Sequence, residues 1–448
     1  MKVTIVGGGI TGLAAAWRLQ QLRPDAVVTV FEAGERLGGK LRTERIAADE
    51  GVYLCEAGAE SFVRRTSEMW RMVCDVGAHR AARTVSDAVG MHIVRRGKIL
   101  RVPLSPLEFL RSPLMSARGK LRMLSEPLRP GRNDDGDETM ASFVTRRFGR
   151  EALDEIIGPV IGGIFNADPE TQSVEMSMAS MRVAERRGGS VVRGMLRAPR
   201  RDPDLPRGAF LFEDGVEGFI DALLRKSACE VRLRTPVHSL RCAANGAVGV
   251  DSAGGASTCD AVVLAVPTRQ AAMLLADVAP DASRALGEIE HQPIGTLVMT
   301  YRADDVPVKR DVRGVIVPRR EKRTVDAVMF ASHKRPECAP HDHALLRVFV
   351  GGARPDLVDR DDDAMIDAVR SDLSELFGIT AAPRAVRVNR WQDGFVRAVV
   401  GHRERVTRIR RSLPHNVFIA GASYDGIGAP DCVRSGFDCA ELIASSPA

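Results

Sequence analysis

The sequence predicts a mixed α/β and α+β fold. A doubly wound, parallel-sheet domain is assembled from separated stretches of chain and carries an antiparallel-sheet domain and a helical subdomain. Three observations predict it. A strand, a glycine-rich turn and a helix follow one another in the first nineteen residues. A second glycine-rich turn, residues 421–428, leads into a helix at the far end of the chain. Between them lie short β-branched runs and one long run with helical period.

The chain has 448 residues, enough for two or three domains. Hydrophobic residues make up 44% and charged residues 27%, the balance of a folded globular protein, which excludes collagen-like, disulfide-scaffold and largely disordered classes. Aromatics at 5% do not favour a base-stacking nucleic-acid binder. Sixty-four Lys and Arg against 58 Asp and Glu leave +6, a slight bias towards an acidic partner set on solvated basic faces. The eight cysteines show no C-x-x-C spacing, so neither a zinc site nor a redox dithiol is expected, and free thiols fit a reducing cytosol. The chain opens on a strand rather than a signal peptide. No apolar run reaches the roughly 18 residues of a membrane span.

Taken in order, residues 3–6 are a β-branched strand. Gly7, Gly9 and Gly12 then fit G-x-G-x-x-G, and an alanine-rich helix follows with Thr11 in its first turn. The first glycine permits the turn, the second lets a pyrophosphate approach the backbone, and the third lets the helix pack on the strand. The helix N-terminus offers N–H groups to phosphate. A second strand, residues 27–31, ends in Glu32, placed to accept from a ribose hydroxyl. This is a Rossmann-like dinucleotide site.

Residues 231–233 and 261–267 read as further strands, the second apolar enough for a buried parallel position. A hairpin at 247–256 turns at 252–255. Residues 416–421 form a buried strand, followed by a helix over 433–443 whose N-terminal dipole would favour an anionic ring system. Residues 293–299, 315–317, 328–331 and 345–351 read as antiparallel strands. Residues 363–377 form an amphipathic helix with Met365, Ile366, Val369, Leu373 and Leu376 on its core face. Trp391 is expected in core packing, with a place near the cofactor as the alternative, and His402 as a structural partner more than a general base. Residues 101–114 are apolar, proline-broken and flanked by Arg and Lys, which suits short packed helices or a membrane-surface element. The acidic loop 131–138 lacks calcium-loop spacing. The basic stretch 186–208 reads as a connection.

Beyond Glu32, the stretch with Arg36, Gly38, Gly39 and Lys40 resembles the flavin amine oxidase superfamily, whose members bind FAD through it. Within that superfamily the chain is similar, over nearly its whole length, to the oxygen-dependent protoporphyrinogen/coproporphyrinogen oxidase family. Residues 5–16, 56–62, 148–169 with Ser177-Met178, Gly401-His402, and 426–432 carry the likeness.

The resemblance implies FAD as cofactor, held by Gly7, Gly9, Thr11, Gly12, Glu32, Arg36, Gly38, Gly39, Lys40, Val237, Ala265, Gly421, Gly426 and Ile427. It implies a discontinuous FAD-binding domain (1–90, 209–270, 405–448), a helical, membrane-facing subdomain (91–208) and a substrate-binding domain (271–404). It further implies dehydrogenation of a porphyrinogen, with oxygen reduced to peroxide. Arg64, Arg65 and Arg397 are the candidates for meeting substrate carboxylates. No nucleophile–base pair stands out, in keeping with chemistry carried by the cofactor. The expected location is cytoplasmic, with peripheral contact at the inner face of the membrane, and no nucleic acid or metal is expected. The chain departs from the family pattern at Ala59, Thr66 and residues 396–398. An oxidase of another electron-rich heterocycle or amine therefore stays open, as does a non-catalytic FAD-binding protein.

Overall fold

A computed structural model describes residues 1–63, 66–85, 90–132, 134, 136–198, 208–242 and 246–446. Its centre is a five-stranded, all-parallel sheet in the order Glu230–Arg232, Val27–Phe31, Lys2–Val6, Ala261–Leu264, Val417–Ile419. The strands come from three separated stretches of sequence. All are short, and the four from Val27–Phe31 to Val417–Ile419 are largely apolar and β-branched, as burial on both faces requires, while the edge strand Glu230–Arg232 carries two charges. One face is covered by the helices Ile10–Leu22 and Ala429–Ser445, whose Ala15, Leu19, Cys439 and Ile443 pack on Val3, Ile5 and Val30. These two helices cross closely because Gly436 leaves no side chain: a Cβ there would stand 2.4 Å from the Thr11 carbonyl oxygen. The other face is covered by an antiparallel sheet, Val237–Cys242, Val248–Ser252 and Gly255–Cys259, and by the helices Thr268–Leu275 and Pro280–Gly287.

A seven-stranded sheet stands beside this unit. Its order is Ala385–Val396, His291–Arg302, His343–Val350, Val325–Phe330, Gly314–Ile316, Met91–Arg95, Lys98–Arg101. Leu346, Val348 and Val350 point to one face, where the helix Asp362–Phe377 seals them with Met365, Val369 and Leu373. Arg347 and Phe349 therefore point to the other face, towards the parallel-sheet unit.

The hairpin Met91–Arg101 corrects the expected limits of the helical subdomain. It does not open that region; it adds two strands to the seven-stranded sheet, with Met91–Arg95 parallel to Gly314–Ile316. The stretch expected as a connection after residue 186 carries the helix Val191–Leu196, while residues 199–207 lie outside the described residues.

Between these elements lie short helices, among them Pro106–Arg111, Ala117–Leu124, Met140–Phe148 and Ala179–Gly188. They hold a buried ionic network in which Arg147 and Arg182 are both fully enclosed. Arg147 meets Glu126, and Arg182 donates to Glu185 at 2.7 Å. The arginine excess was expected on solvated faces. Part of it is internal, because each guanidinium has carboxylates and carbonyls to satisfy it.

Candidate functional site at the junction of the two sheets

A cavity of about 800 Å³ lies where the glycine-rich turns of the parallel sheet face the seven-stranded sheet. Gly7 adopts φ +106°, and a Cβ there would stand 2.5 Å from the Ala265 carbonyl oxygen. A Cβ on Gly12 would stand 2.1 Å from the Gly7 carbonyl oxygen. Gly9 is different, since nothing lies within 4 Å of where its Cβ would be. Its backbone therefore opens onto the cavity, as a pyrophosphate cradle needs. Gly9 also caps the helix Ile10–Leu22 without a side-chain oxygen, so the first-turn N–H groups are left for a ligand.

Glu32 sits at the end of its strand on the cavity wall. Its carboxylate accepts from the Gly8 N–H at 2.8 Å and the Gly34 N–H at 2.7 Å, which orients it. Gly38, at φ +98°, donates its N–H to the Gly8 carbonyl at 2.8 Å and joins the two loops. Lys40 donates to the Asp393 carbonyl and, at 2.9 Å, to the Gly394 carbonyl, tying this loop to the strand Ala385–Val396. Burial lowers the Lys40 pKa against the pull of Asp393.

Gly7, Gly9, Thr11, Glu32, Gly38, Gly39, Lys40, Val237, Ala265, Gly421 and Ile427 all line the cavity. Three expected cofactor residues act from outside the lining. Gly12 is the packing glycine. Arg36 donates to the carbonyls of Leu37 at 2.6 Å and Gly39 at 2.6 Å and so shapes the loop. Gly426, at φ +136°, makes room for Asp431, whose carboxylate accepts from the Gly428 N–H at 3.2 Å.

The open Gly9 backbone, the uncapped helix and the oriented Glu32 fit a dinucleotide cofactor. Bound FAD would supply a two-electron acceptor there.

Arg397 is not in the lining. It follows the end of its strand and pairs with Glu290 at 2.8 Å, half-exposed. Arg64 and Arg65 lie outside the described residues. Trp391 lines the cavity, the alternative to core packing, and its buried Nε1 has no partner among the described residues. Of the departures from the family pattern, Ala59 and Val396 line the cavity. Ala398 is core, and Thr66 leads into the helix Ser67–Asp75.

Sequence reasoning missed the polar groups of the seven-stranded sheet. Arg347, almost fully buried, donates to the Gly58 carbonyl at 2.5 Å and lies 3.8 Å from Glu60. Glu60 also meets Lys334 at 3.2 Å. Burial alone would raise the Glu60 pKa, but Lys334, Arg347 and Arg335 hold it below the usual carboxylate range. Glu56, one strand-end away, is pushed up to about 7 by burial. The one available signal was a charge inside the apolar run at Arg347. His291 also lines the cavity, on a strand edge with no local motif.

The family model described as flavin containing amine oxidoreductase matches residues 10–444. The coproporphyrinogen III oxidase of Mycobacterium tuberculosis (strain ATCC 25618 / H37Rv) is 31% identical, covering 96% of this chain and 94% of that one. The mitochondrial protoporphyrinogen oxidase of Nicotiana tabacum is 26% identical over 99% of this chain and 95% of its own. A crystal structure from Exiguobacterium sp. 255-15, provisionally assigned as a protoporphyrinogen oxidase, superposes with a TM-score of 0.83 at 28% identity. It covers 99% of this chain and 98% of that one.

Proposed function

This chain belongs to the flavin containing amine oxidoreductase family, and on that premise we propose that it is a porphyrinogen oxidase. It is an FAD-dependent oxidoreductase. The substrate proposed is coproporphyrinogen III or protoporphyrinogen IX, with oxygen as final acceptor and peroxide as product. One observation carries the reading: the face of the seven-stranded sheet that carries Ile294, Met329 and Phe349, together with Arg347, closes the same cavity as the dinucleotide turns. A flat, apolar, electron-rich ring system suits such a wall.

When bound, FAD would supply the two-electron acceptor for a hydride from the substrate. The chain's own residues do the rest. The glycine turns and Glu32 hold the cofactor, Lys40 locks its loop to the substrate wall, and the apolar wall excludes water. The cofactor domain is read as 1–90, 209–270 and 405–448. Adding the porphyrinogen without oxygen should bleach the flavin band; a band unchanged by either porphyrinogen contradicts the reading.

Ala59 and Val396, two of the departures from the family pattern, line the cavity, which supports a second reading. Here the substrate is another electron-rich heterocycle or amine, and such a compound rather than a porphyrinogen would bleach the flavin.

Arg64 and Arg65 are proposed to meet the substrate carboxylates. Arg64→Ala and Arg65→Ala together should raise KM about tenfold or more, the cost of one charge-assisted hydrogen bond, with kcat little changed. An unaltered KM removes them from the site.

Peripheral membrane contact is also proposed. No helix among the described residues is long and apolar enough to cross a membrane. The helices Pro106–Arg111 and Ala117–Leu124 meet through Lys120, which donates to the Leu110 carbonyl at 2.8 Å. They expose Leu107, Leu110, Leu121 and Leu124 beside Arg111 and Arg118. Apolar side chains flanked by cations suit an anionic lipid surface. The protein should co-sediment with anionic vesicles and lose that binding when Leu107 and Leu121 become Asp; sedimentation equal to that with neutral vesicles contradicts it.

A further inference from the structure

His291 and Ser423 meet on the cavity wall from different sheets. His291 opens the strand His291–Arg302, and Ser423 follows the strand Val417–Ile419. Both line the cavity, and His291 Nε2 lies 3.0 Å from Ser423 Oγ. Ser423 is itself held from behind. Its carbonyl accepts from Nε2 of the fully buried His402 at 2.8 Å. Nε2 is the ring nitrogen that faces the Ser423 hydroxyl, and in a neutral ring with its proton on Nδ1 it is the basic one.

We propose that His291, through the Ser423 hydroxyl, accepts the proton that the substrate loses from nitrogen when a dehydrogenation forms carbon–nitrogen unsaturation. This rests on the reading of the substrate as an N–H heterocycle. A carbon–hydrogen bond beside the ring breaks and its electron pair leaves with the hydride, which FAD accepts. The cation left on the heterocycle becomes neutral when its N–H bond breaks. That proton passes to Ser423 Oγ as the hydroxyl gives its own to His291 Nε2, and the ring later returns it to solvent. One hydride, carrying both electrons, and one proton leave the substrate, and carbon–nitrogen unsaturation forms.

The surroundings keep the ring ready to accept. Burial lowers the His291 pKa, Lys40 and His402 lower it further, and Asp393 opposes them. The neutral ring therefore prevails at pH 7. Of the three acids on the wall among the described residues, Glu32 is engaged by the Gly8 and Gly34 N–H groups and Glu60 by Lys334; the third is Asp393.

The test is anaerobic single-turnover bleaching of the FAD-loaded protein by porphyrinogen, from about pH 5 to pH 9, across the ordinary histidine range. In the native protein the rate should rise with pH to a plateau. His291→Gln should slow the plateau about 100-fold and lose the acid limb, with flavin content and melting temperature retained. Ser423→Ala should fall between the two. An acid limb that persists in His291→Gln overturns the proposal.

A second readout does not depend on the substrate. In ¹⁵N-histidine spectra of the FAD-loaded protein, assigned by comparison with His291→Gln, His291 should be neutral at pH 7 with its proton on Nδ1. A cationic His291 at pH 7 overturns the proposal. If porphyrinogen fails to bleach the native flavin while His291 is neutral, the substrate reading fails and the base stands for another N–H substrate.

Discussion

Gly12→Val is expected to leave the protein without flavin. Gly12 lies in the first turn of the helix Ile10–Leu22, and even a methyl carbon there would stand 2.1 Å from the Gly7 carbonyl oxygen and 3.1 Å from Ile5 Cγ2. The carbonyl is backbone and cannot rotate aside. Relief requires the helix to lift from the strand, which moves the Gly7–Gly9 turn and the first-turn N–H groups together. Overpacking usually costs about 1–3 kcal/mol, and a collision with backbone belongs at or above the top of that range. Flavin absorbance per protein should fall below about a tenth of the native ratio, since each 1.4 kcal/mol is tenfold in affinity. Gly9→Ala separates packing from binding. It meets no protein atom, so the fold should melt as the native protein does while FAD affinity drops. Native flavin content in Gly12→Val would contradict this account of the turn.

Glu126→Gln should be the most damaging single change in the helical region. The Glu126 carboxylate is fully enclosed and holds three segments together. It accepts from Arg147 Nε at 2.7 Å, Ser190 Oγ at 2.6 Å, and the N–H groups of Val191 at 2.8 Å and Val192 at 3.2 Å. Glutamine replaces one accepting oxygen with an amide that can only donate, facing groups that also donate. Arg147 then keeps only the more distant Glu185, at 3.6 Å, as its countercharge; breaking the buried pair with Glu126 should cost about 3–5 kcal/mol, read from the denaturant midpoint.

The pH dependence follows from the same contacts. Burial would raise the Glu126 pKa, but Ser190, Arg147 and the two backbone N–H groups hold it below the usual value. Glu185 shifts the same way against its own burial, through Arg146 and Arg182. A carboxyl with a depressed folded-state pKa stabilises fully above its unfolded value, about 4.3. It loses that stabilisation as pH falls through the folded value. Native stability should drop below about pH 4, and the drop should be shallower in Glu126→Gln. An identical acid profile in the two proteins would remove Glu126 from this role.

What the sequence revealed and what it hid divide along physical lines. Gly7, Gly12 and Glu32 were legible because their causes are local: a turn with positive φ, a close helix–strand approach, and an acid at a strand end. The helix over 363–377 was legible for the same reason, since its stripe is a property of fifteen consecutive residues. The hairpin Met91–Arg101 was misassigned because its partner strand, Gly314–Ile316, lies more than 200 residues away, and nothing in its own pattern specifies that pairing. Arg347, His291 and Trp391 reach the cavity through the register of the seven-stranded sheet, which no single strand encodes. Arg147 and Arg182 look like surface arginines until Glu126 and Glu185 are folded against them. The glycine-turn side of the cavity was thus readable as motif, while the side formed by the seven-stranded sheet exists only as tertiary geometry.

The most direct test of the central claim is porphyrin fluorescence. FAD-loaded protein is incubated in air with coproporphyrinogen III and, separately, with protoporphyrinogen IX, and emission is followed against a protein-free control. A porphyrinogen oxidase produces fluorescence above the control with at least one of them, together with peroxide. A flavin-loaded protein that gives no gain with either would contradict the claim.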